Sequence, residues 1–317
     1  MRFRRRNIPV TIILAFVLGM CALPAHGQSP APLTIHVGAT ANDTYAQAYY
    51  AQDLGFFKKA GLNVELSTFT NGAAVSAAVA SGALDLGVSN PVGIANAVAH
   101  GVHFVYIAGG GLYDTKAPTT VLCVAKNSPL KSPKELEGKT VAVSALKDIS
   151  ALGVQAWLAN EGVDVAKVRF TEIAFSQMGP ALERGTVAAA MISEPSLTAA
   201  RSETRVLGKA FDAIGKHFLI SGWFTTSDWA MKNPDAAKRF VSVMYESARW
   251  ANAHRDQSAA ILSKYSKIDA DTARKMERCM YATSLSPQLL VPSVELATKF
   301  NVLEHTVPAS ELIAKGF

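Results

Sequence analysis

The residues of this chain that could do chemistry are mostly short and uncharged, and they recur where an apolar strand pattern gives way to a helical one. Thr40, Asn42 and Tyr45 form one such junction, Asn71 and Gly72 the next, and Ser89 and Asn90 a third. Ser144, Asp148 and Ile149, then Gln177, then Glu194, repeat the arrangement further along. At a helix start the first backbone N–H groups lack partners, and beside hydroxyl and amide side chains they suit carboxylate, sulfonate or phosphate-like groups. Any one of these residues alone reads first as the cap of its own helix. Glu194, before Pro195, has three open roles: a salt bridge across a cleft, a hydrogen bond from a ligand, or a cap on the next helix. Lys147 and Asp148 begin a helix, either as a solvated first turn or as a charge aimed inward. Tyr45 and Trp223 are the aromatic candidates for cleft walls, with core packing as the default for each.

Catalytic spacings are missing from the sequence. It holds no G-x-S-x-G, no G-x-x-x-x-G-K-[ST], no H-E-x-x-H and no C-x-x-C. Gly109-Gly110-Gly111 lacks dinucleotide-fingerprint spacing and reads as crossover backbone that needs room. His100 and His103 flank Gly101 without forming a helical i,i+4 pair, so they read as turn residues. No metal and no cofactor is expected.

The elements that must position these residues alternate regularly. Strands are expected at 33–37, 63–66, 84–88 and 104–108, with helices between them that open on a polar cap or proline and close at glycine. A second set follows: strands at 119–125, 140–143, 168–173 and 188–192, and helices near 148–160 and before Gly185. Ser132-Pro133-Lys134-Glu135 reads as a capping box. The stretches 81–91 and 184–195 share one pattern, glycine then a short apolar strand then Ser-polar-Pro, so two lobes of related design follow one another. This predicts an α/β protein of two doubly wound lobes joined by a two-crossover hinge, with ligands outside the strand carboxyl ends. One further strand is expected at 218–226, then helices at 234–252 and 270–281. The expected division is 28–118 for the first lobe, 119–222 for the second, and 223–317 returning to pack on the first. Crossings near 109–120, including Asp114, and near 222–227 would absorb the change of angle as the lobes close.

Residues 1–27 read as a cleavable signal peptide: Arg2, Arg4, Arg5 and Arg6, an apolar run from Ile8 to Leu23, and Ala25-His26-Gly27 before a cut at Gln28. A retained membrane anchor and a lipidated Cys21 are the alternatives. Removing the four leader arginines leaves 27 basic against 25 acidic residues, a net of +2, so the basic character belongs largely to the leader and nothing argues for nucleic acid. Cys123 and Cys279 then remain, 156 positions apart, and read as two unpaired buried thiols.

Residues 51–65 (AQDLGFFKKAGLNVE), 80–87 (ASGALDLG) and 127–142 (NSPLKSPKELEGKTVA), with the Glu194-Pro195 pair, resemble the periplasmic binding proteins of the nitrate/sulfonate/taurine branch across about 34–250. The resemblance implies a two-lobed type-2 binding fold, a periplasmic location, an ABC importer permease as partner and a small-molecule ligand between the lobes. Ser193 stands where an aromatic residue often precedes Glu-Pro, and Ala188 replaces a common acidic position, so ligand preference does not carry over. The cleft loops are poor in basic residues, which predicts a small organic ligand, monoanionic or neutral, held by a monomer. Two alternatives share the fold: a pyrimidine-precursor synthase, which needs a pyridoxal cofactor and a cysteine-rich motif not found in this sequence, and a ligand-presenting sensory partner.

Overall fold

Polar residues that end a strand and cap the following helix set the rhythm of the computed structural model, which describes residues 33–317; the expected leader lies outside the described residues. Strand β1 (Thr34–Thr40) passes through a 3₁₀ turn at Asp43–Tyr45 into α1 (Gln47–Asp53) and α2 (Phe56–Lys59). Strand β2 (Asn63–Phe69) feeds α3 (Gly72–Ala80), and β3 (Leu86–Ser89) feeds α4 (Pro91–Ala99). Asn71 and Asn90 cap these two helices, their side-chain oxygens accepting from the N–H groups of Ala74 and Gly93. After β4 (Phe104–Gly109) come β5 (Leu112–Asp114), β6 (Thr120–Ala125), β7 (Thr140–Val143), α5 (Ile149–Asn160) and β8 (Arg169–Glu172). The chain continues through α6 (Phe175–Glu183), β9 (Ala189–Ser193), α7 (Ser196–Ala199), β10 (Thr204–Gly208), β11 (His217–Leu219) and β12 (Gly222–Thr226). Helices α8 (Ser227–Lys232), α9 (Pro234–Ala253), α10 (Arg255–Ser266), α11 (Ala270–Lys275) and α12 (Pro287–Lys299) complete it.

Two five-stranded sheets result, in the orders β2-β1-β3-β12-β4 and β10-β6-β9-β7-β8. The internal repeat seen in the sequence maps onto their centres. Strand β3 has β1 parallel on one side and β12 antiparallel on the other, and β9 has β7 parallel and β6 antiparallel. Both central strands are buried along their whole length, as strands covered on both faces must be, whereas the edge strand β2 exposes Asn63, Glu65, Ser67 and Thr68. The sheets are therefore mixed, not purely parallel.

The link between the sheets differs from expectation. Residues 218–226 form two strands: β11 pairs antiparallel with β5 as a separate two-stranded ribbon, and β12 is already part of the first sheet. The break falls at Ile220-Ser221, where Gly111 N donates to Ser221 Oγ at 2.8 Å and Ile220 N donates to Gly111 O at 2.9 Å. The return crossing thus lies before Gly222, and Asp114 belongs to the ribbon. The glycine run needs its missing side chains: a Cβ on Gly110 would lie 2.6 Å from Ser221 O, and one on Gly111 2.7 Å from Thr44 O. Phe211, from a 3₁₀ turn at Ala210–Ala213, packs on Tyr113 and Phe218 of the ribbon, with ring centroids 5.1 to 5.8 Å apart.

The C-terminal helices also depart from the simple picture. Helices α9 and α10 pack on α1, but α12 touches β11, α4 and α5, and α11 touches α7, so this segment straddles both sheets. The helix expected over 270–281 stops at Lys275, because Arg278 and Cys279 are drawn into contact with Asp43. Cys123 and Cys279 are free and buried in different apolar clusters. Among the described residues, no helix is long and apolar enough to cross a membrane.

Candidate functional site

The carboxyl ends of β1, β2 and β3 face those of β7, β8 and β9, and three hydrogen bonds join the two sides. Asn71 Nδ2 donates to Ser144 O at 3.1 Å, Ile149 N donates to Asn90 Oδ1 at 3.2 Å, and Asp43 N donates to Glu194 O at 3.1 Å. The caps of α3 and α4 therefore serve twice, once for their own helix and once across the cleft.

Within this frame lies a cavity of about 160 Å³, lined by Thr40 and Asn42 after β1, Phe69 at the end of β2, Phe175 and Ser176 at the start of α6, and Pro195-Ser196 after β9. Asn42 Oδ1 accepts from Thr44 N at 3.0 Å and Thr44 Oγ1 at 2.8 Å, which fixes the amide and leaves Nδ2 buried with no partner. Thr40 Oγ1 and Thr119 Oγ1 are likewise buried and unpartnered. Thr119 adjoins the same junction, its carbonyl accepting from Glu194 N at 2.9 Å. An unpaired buried polar group costs about 1–3 kcal/mol, and two of these three, on Thr40 and Asn42, belong to residues of the cavity wall.

The flanking groups are self-satisfied. Asp148 caps α5: its carboxylate accepts from Ser144 Oγ at 2.6 Å, Ser150 Oγ at 2.7 Å, Ser150 N at 2.9 Å and Ala151 N at 3.1 Å. Burial raises this carboxyl above its ordinary value, and those four donors oppose the shift. The Tyr45 hydroxyl sits buried beside Asp148 and Asn90, and burial raises it too. Glu194 caps α7, accepting from Thr198 N at 3.0 Å and Thr198 Oγ1 at 2.8 Å, and burial pushes it up to about 7. Of its three open roles, the helix cap is the one its side chain performs. Gly72 allows close approach, since a Cβ there would lie 2.7 Å from Ser89 Oγ, which donates to Gly72 O.

Of the expected site residues, Thr40 and Asn42 line the cavity, and three of the others have surroundings different from those expected. Trp223 is fully buried in the core, its Nε1 donating to Gln47 Oε1 at 2.8 Å and its ring edge-on to Phe240, because β12 is an interior strand and not a crossing. Asp114 sits on the ribbon, accepting from Lys116 N. Gln177 is exposed on α6 outside the cavity lining; the helix begins two residues earlier, which gives the wall to Phe175 and Ser176. Lys147 is exposed.

Sequence reasoning also passed over a buried ion pair beneath the site. Arg278 Nε donates to Asp43 Oδ1 at 2.8 Å, while Cys279 N donates to Asp43 Oδ2 at 2.7 Å. The other guanidinium nitrogens donate to Arg255 O, Ser258 Oγ and Tyr50 OH at 2.8 to 2.9 Å. Tyr281 OH donates to the Asp43 carbonyl. Asp43 follows Asn42, so this network holds the loop that presents Asn42. No local pattern signals a partner 235 positions away.

Comparison with known proteins bears on this geometry. The model of a family described as NMT1/THI5 like matches residues 42–258. The taurine-binding periplasmic protein of Escherichia coli is 25% identical over 193 residues, 60% of this chain and 58% of that one. Among solved structures, the periplasmic aliphatic sulphonate binding protein SsuA from Escherichia coli superposes with a TM-score of 0.71 at 21% identity, covering 90% of this chain and 93% of that one. The alkanesulfonate-binding protein SsuA from Xanthomonas axonopodis pv. citri bound to MOPS gives 0.74 at 17% identity, covering 90% and 99%. The fold is that of these binding proteins.

Proposed function

The chain belongs to the NMT1/THI5-like family, and on that premise we propose that it captures a small organic molecule outside the cytoplasmic membrane and delivers it to an ABC importer. The observation that carries this is the cavity where strand ends from both sheets meet, lined by Thr40 and Asn42 from one side and by Ser176 and Ser196 from the other. Ligand docks on the Thr40–Asn42 and Asn71–Asn90 side, and the second sheet swings in about the β5/β11 ribbon. Ser144 O, Ile149 N and Glu194 O then complete the bonds that register closure. The closed form is what the permease recognises. The protein acts as a monomer in the periplasm after cleavage before Gln28.

Relatives named as binding proteins support capture over catalysis on the same fold. The test is mass spectrometry of the purified mature chain under native and denaturing conditions. A small molecule retained in the first and released unaltered in the second is the expected result. A chemically altered product, or a mature chain still bearing residues 1–27, would count against the respective part of the proposal.

A further inference from the structure

Resting on the capture reading, we propose that Ile268, in the turn between α10 and α11, sets how long a molecule the cleft accepts. The cleft has two chambers. Beside the inner cavity of about 160 Å³ lies a crevice of about 270 Å³ between α6 and α7. Phe175, Ser176, Ser196 and Ile268 line both, and so form the neck between them. A void of about 150 Å³ takes up benzene, so a group of that size fills the inner chamber. A longer guest extends through the neck into the crevice.

Ile268 is the neck residue that the first sheet's side supplies. Phe175 and Ser176 open α6, Ser196 opens α7, and the rest of the crevice wall lies within 179–203. The turn is built to hold Ile268 in place. Lys267 takes the left-handed conformation, at φ 60°, which a residue with a side chain adopts only at some cost. Ser263 Oγ donates to Ile268 O at 2.7 Å and Ile268 N donates to Ser266 Oγ at 3.4 Å, so both main-chain polar groups of Ile268 are tied back to α10. Helix α10 is fixed in turn to α1: Lys264 Nζ lies 2.9 Å from each carboxylate oxygen of Asp53, and the Tyr265 ring packs on Tyr49 with centroids 4.4 Å apart. The Tyr49 hydroxyl meets Thr68 Oγ1 at 2.9 Å, and Thr68 lines the inner cavity. Ile268 therefore stays with the first sheet when the lobes part, and closure brings it against the three neck residues of the second.

The walls say what passes the neck. Phe175, Pro180, Ala199, Ala200 and Ile268 are apolar, and Gly179 puts no side chain between α6 and α7, where a Cβ would lie 2.7 Å from that of Ala200. Glu183 and Glu203 are the only charges of the crevice. Such a surface holds an alkyl extension by burial, about fourfold in affinity for each methylene covered. The charge of the head group is a separate matter, decided in the inner chamber.

The experiment is calorimetry on the wild-type mature chain, Ile268→Ala and Ile268→Trp with two series of probes, ethane- to octanesulfonate and acetamide to octanamide, which differ in the charge of the head. In the series that binds, affinity is expected to rise about fourfold per methylene and then level off. The break should come at a longer chain in Ile268→Ala and at a shorter one in Ile268→Trp, with the ratio of longest to shortest probe at least about tenfold higher in the first. A merely structural role would weaken every probe alike, so the same break in all three proteins overturns the assignment and leaves capture standing. Should Ile268→Trp not fold, Ile268→Ala against wild type decides by the same break. Should both series be silent, compounds carried through purification decide, read by native mass spectrometry: a heavier companion in Ile268→Ala than in wild type supports the assignment, and the same companion in both overturns it. No companion in either removes the assignment together with capture.

Discussion

Arg278→Met is the most informative single change, because it separates support of the site from contact with the ligand. The substitution keeps the length and apolar stem but removes every guanidinium bond. Asp43, fully buried, would keep only Cys279 N on its carboxylate. Breaking a buried pair from one side costs about 3–5 kcal/mol, since it strands a charge. With about 2–4 °C of Tm per kcal/mol for domains of this order, calorimetry should show a drop of about 6–20 °C. Removing both charges, in Asp43→Asn with Arg278→Met, should recover a good part of that, because paired removal leaves no orphan. Ligand affinity should fall in the single variant as well, since Asn42 is tethered through Asp43. A loss under about 1 kcal/mol, or a double variant as unstable as the two singles summed, would refute the view that this pair supports the site.

Other consequences are testable in the same preparations. Glu194 is raised from 4.5 to about 7, so the folded state holds its proton more tightly than the unfolded one. Its contribution is full below about pH 4.5 and lost as the pH rises through about 7, a decline of about 3 kcal/mol that Glu194→Gln should flatten; identical urea profiles for both proteins between pH 5 and 8 would contradict this. Burial pushes the Cys123 thiol up to about 12 and raises the Cys279 thiol well above its ordinary value, so the native mature chain should resist iodoacetamide and the denatured chain should take two labels without reduction; a denatured chain that takes no label until it is reduced would point to a bond between them. Asn71→Asp sets a carboxylate against Ser144 O in place of an amide donor and should disfavour closure by about 1–3 kcal/mol, visible as a larger radius of gyration in X-ray scattering; superimposable curves with wild type would show that this contact does not govern closure.

What the sequence disclosed was local. Asn71, Asn90 and Asp148 were legible as caps because a cap depends on residues two or three positions on, and each accepts from the N–H groups it should. The repeat from Gly82 to Pro91 and from Gly185 to Pro195 was legible for the same reason as a sign of two related lobes, and its two strands prove to be the sheet centres. What stayed hidden depended on distant pairing. An apolar stretch at 218–226 reads as one strand, and only the contacts of Ser221 with Gly111 and Thr44 divide it. Trp223 looked like a wall because its strand looked like a crossing. Phe69 was missed because Ser67 and Thr68 break the apolar run, although the backbone of β2 stays paired with β1 to Thr40↔Phe69. Gln177 was preferred to Phe175 by residue type, and the true start of α6 reverses the choice.

The place of β12 has a consequence for how the protein is made. Its residues, 222–226, fill the gap between β3 and β4, so the first sheet stays split into two separate edges until nearly three-quarters of the polypeptide has been synthesised. Such late, long-range pairing is slow, and the first sheet cannot be completed before the second, whose strands all lie between Thr120 and Gly208. If the chain is exported as proposed, a first sheet that closes this late would keep it threadable for longer, as a translocation channel requires.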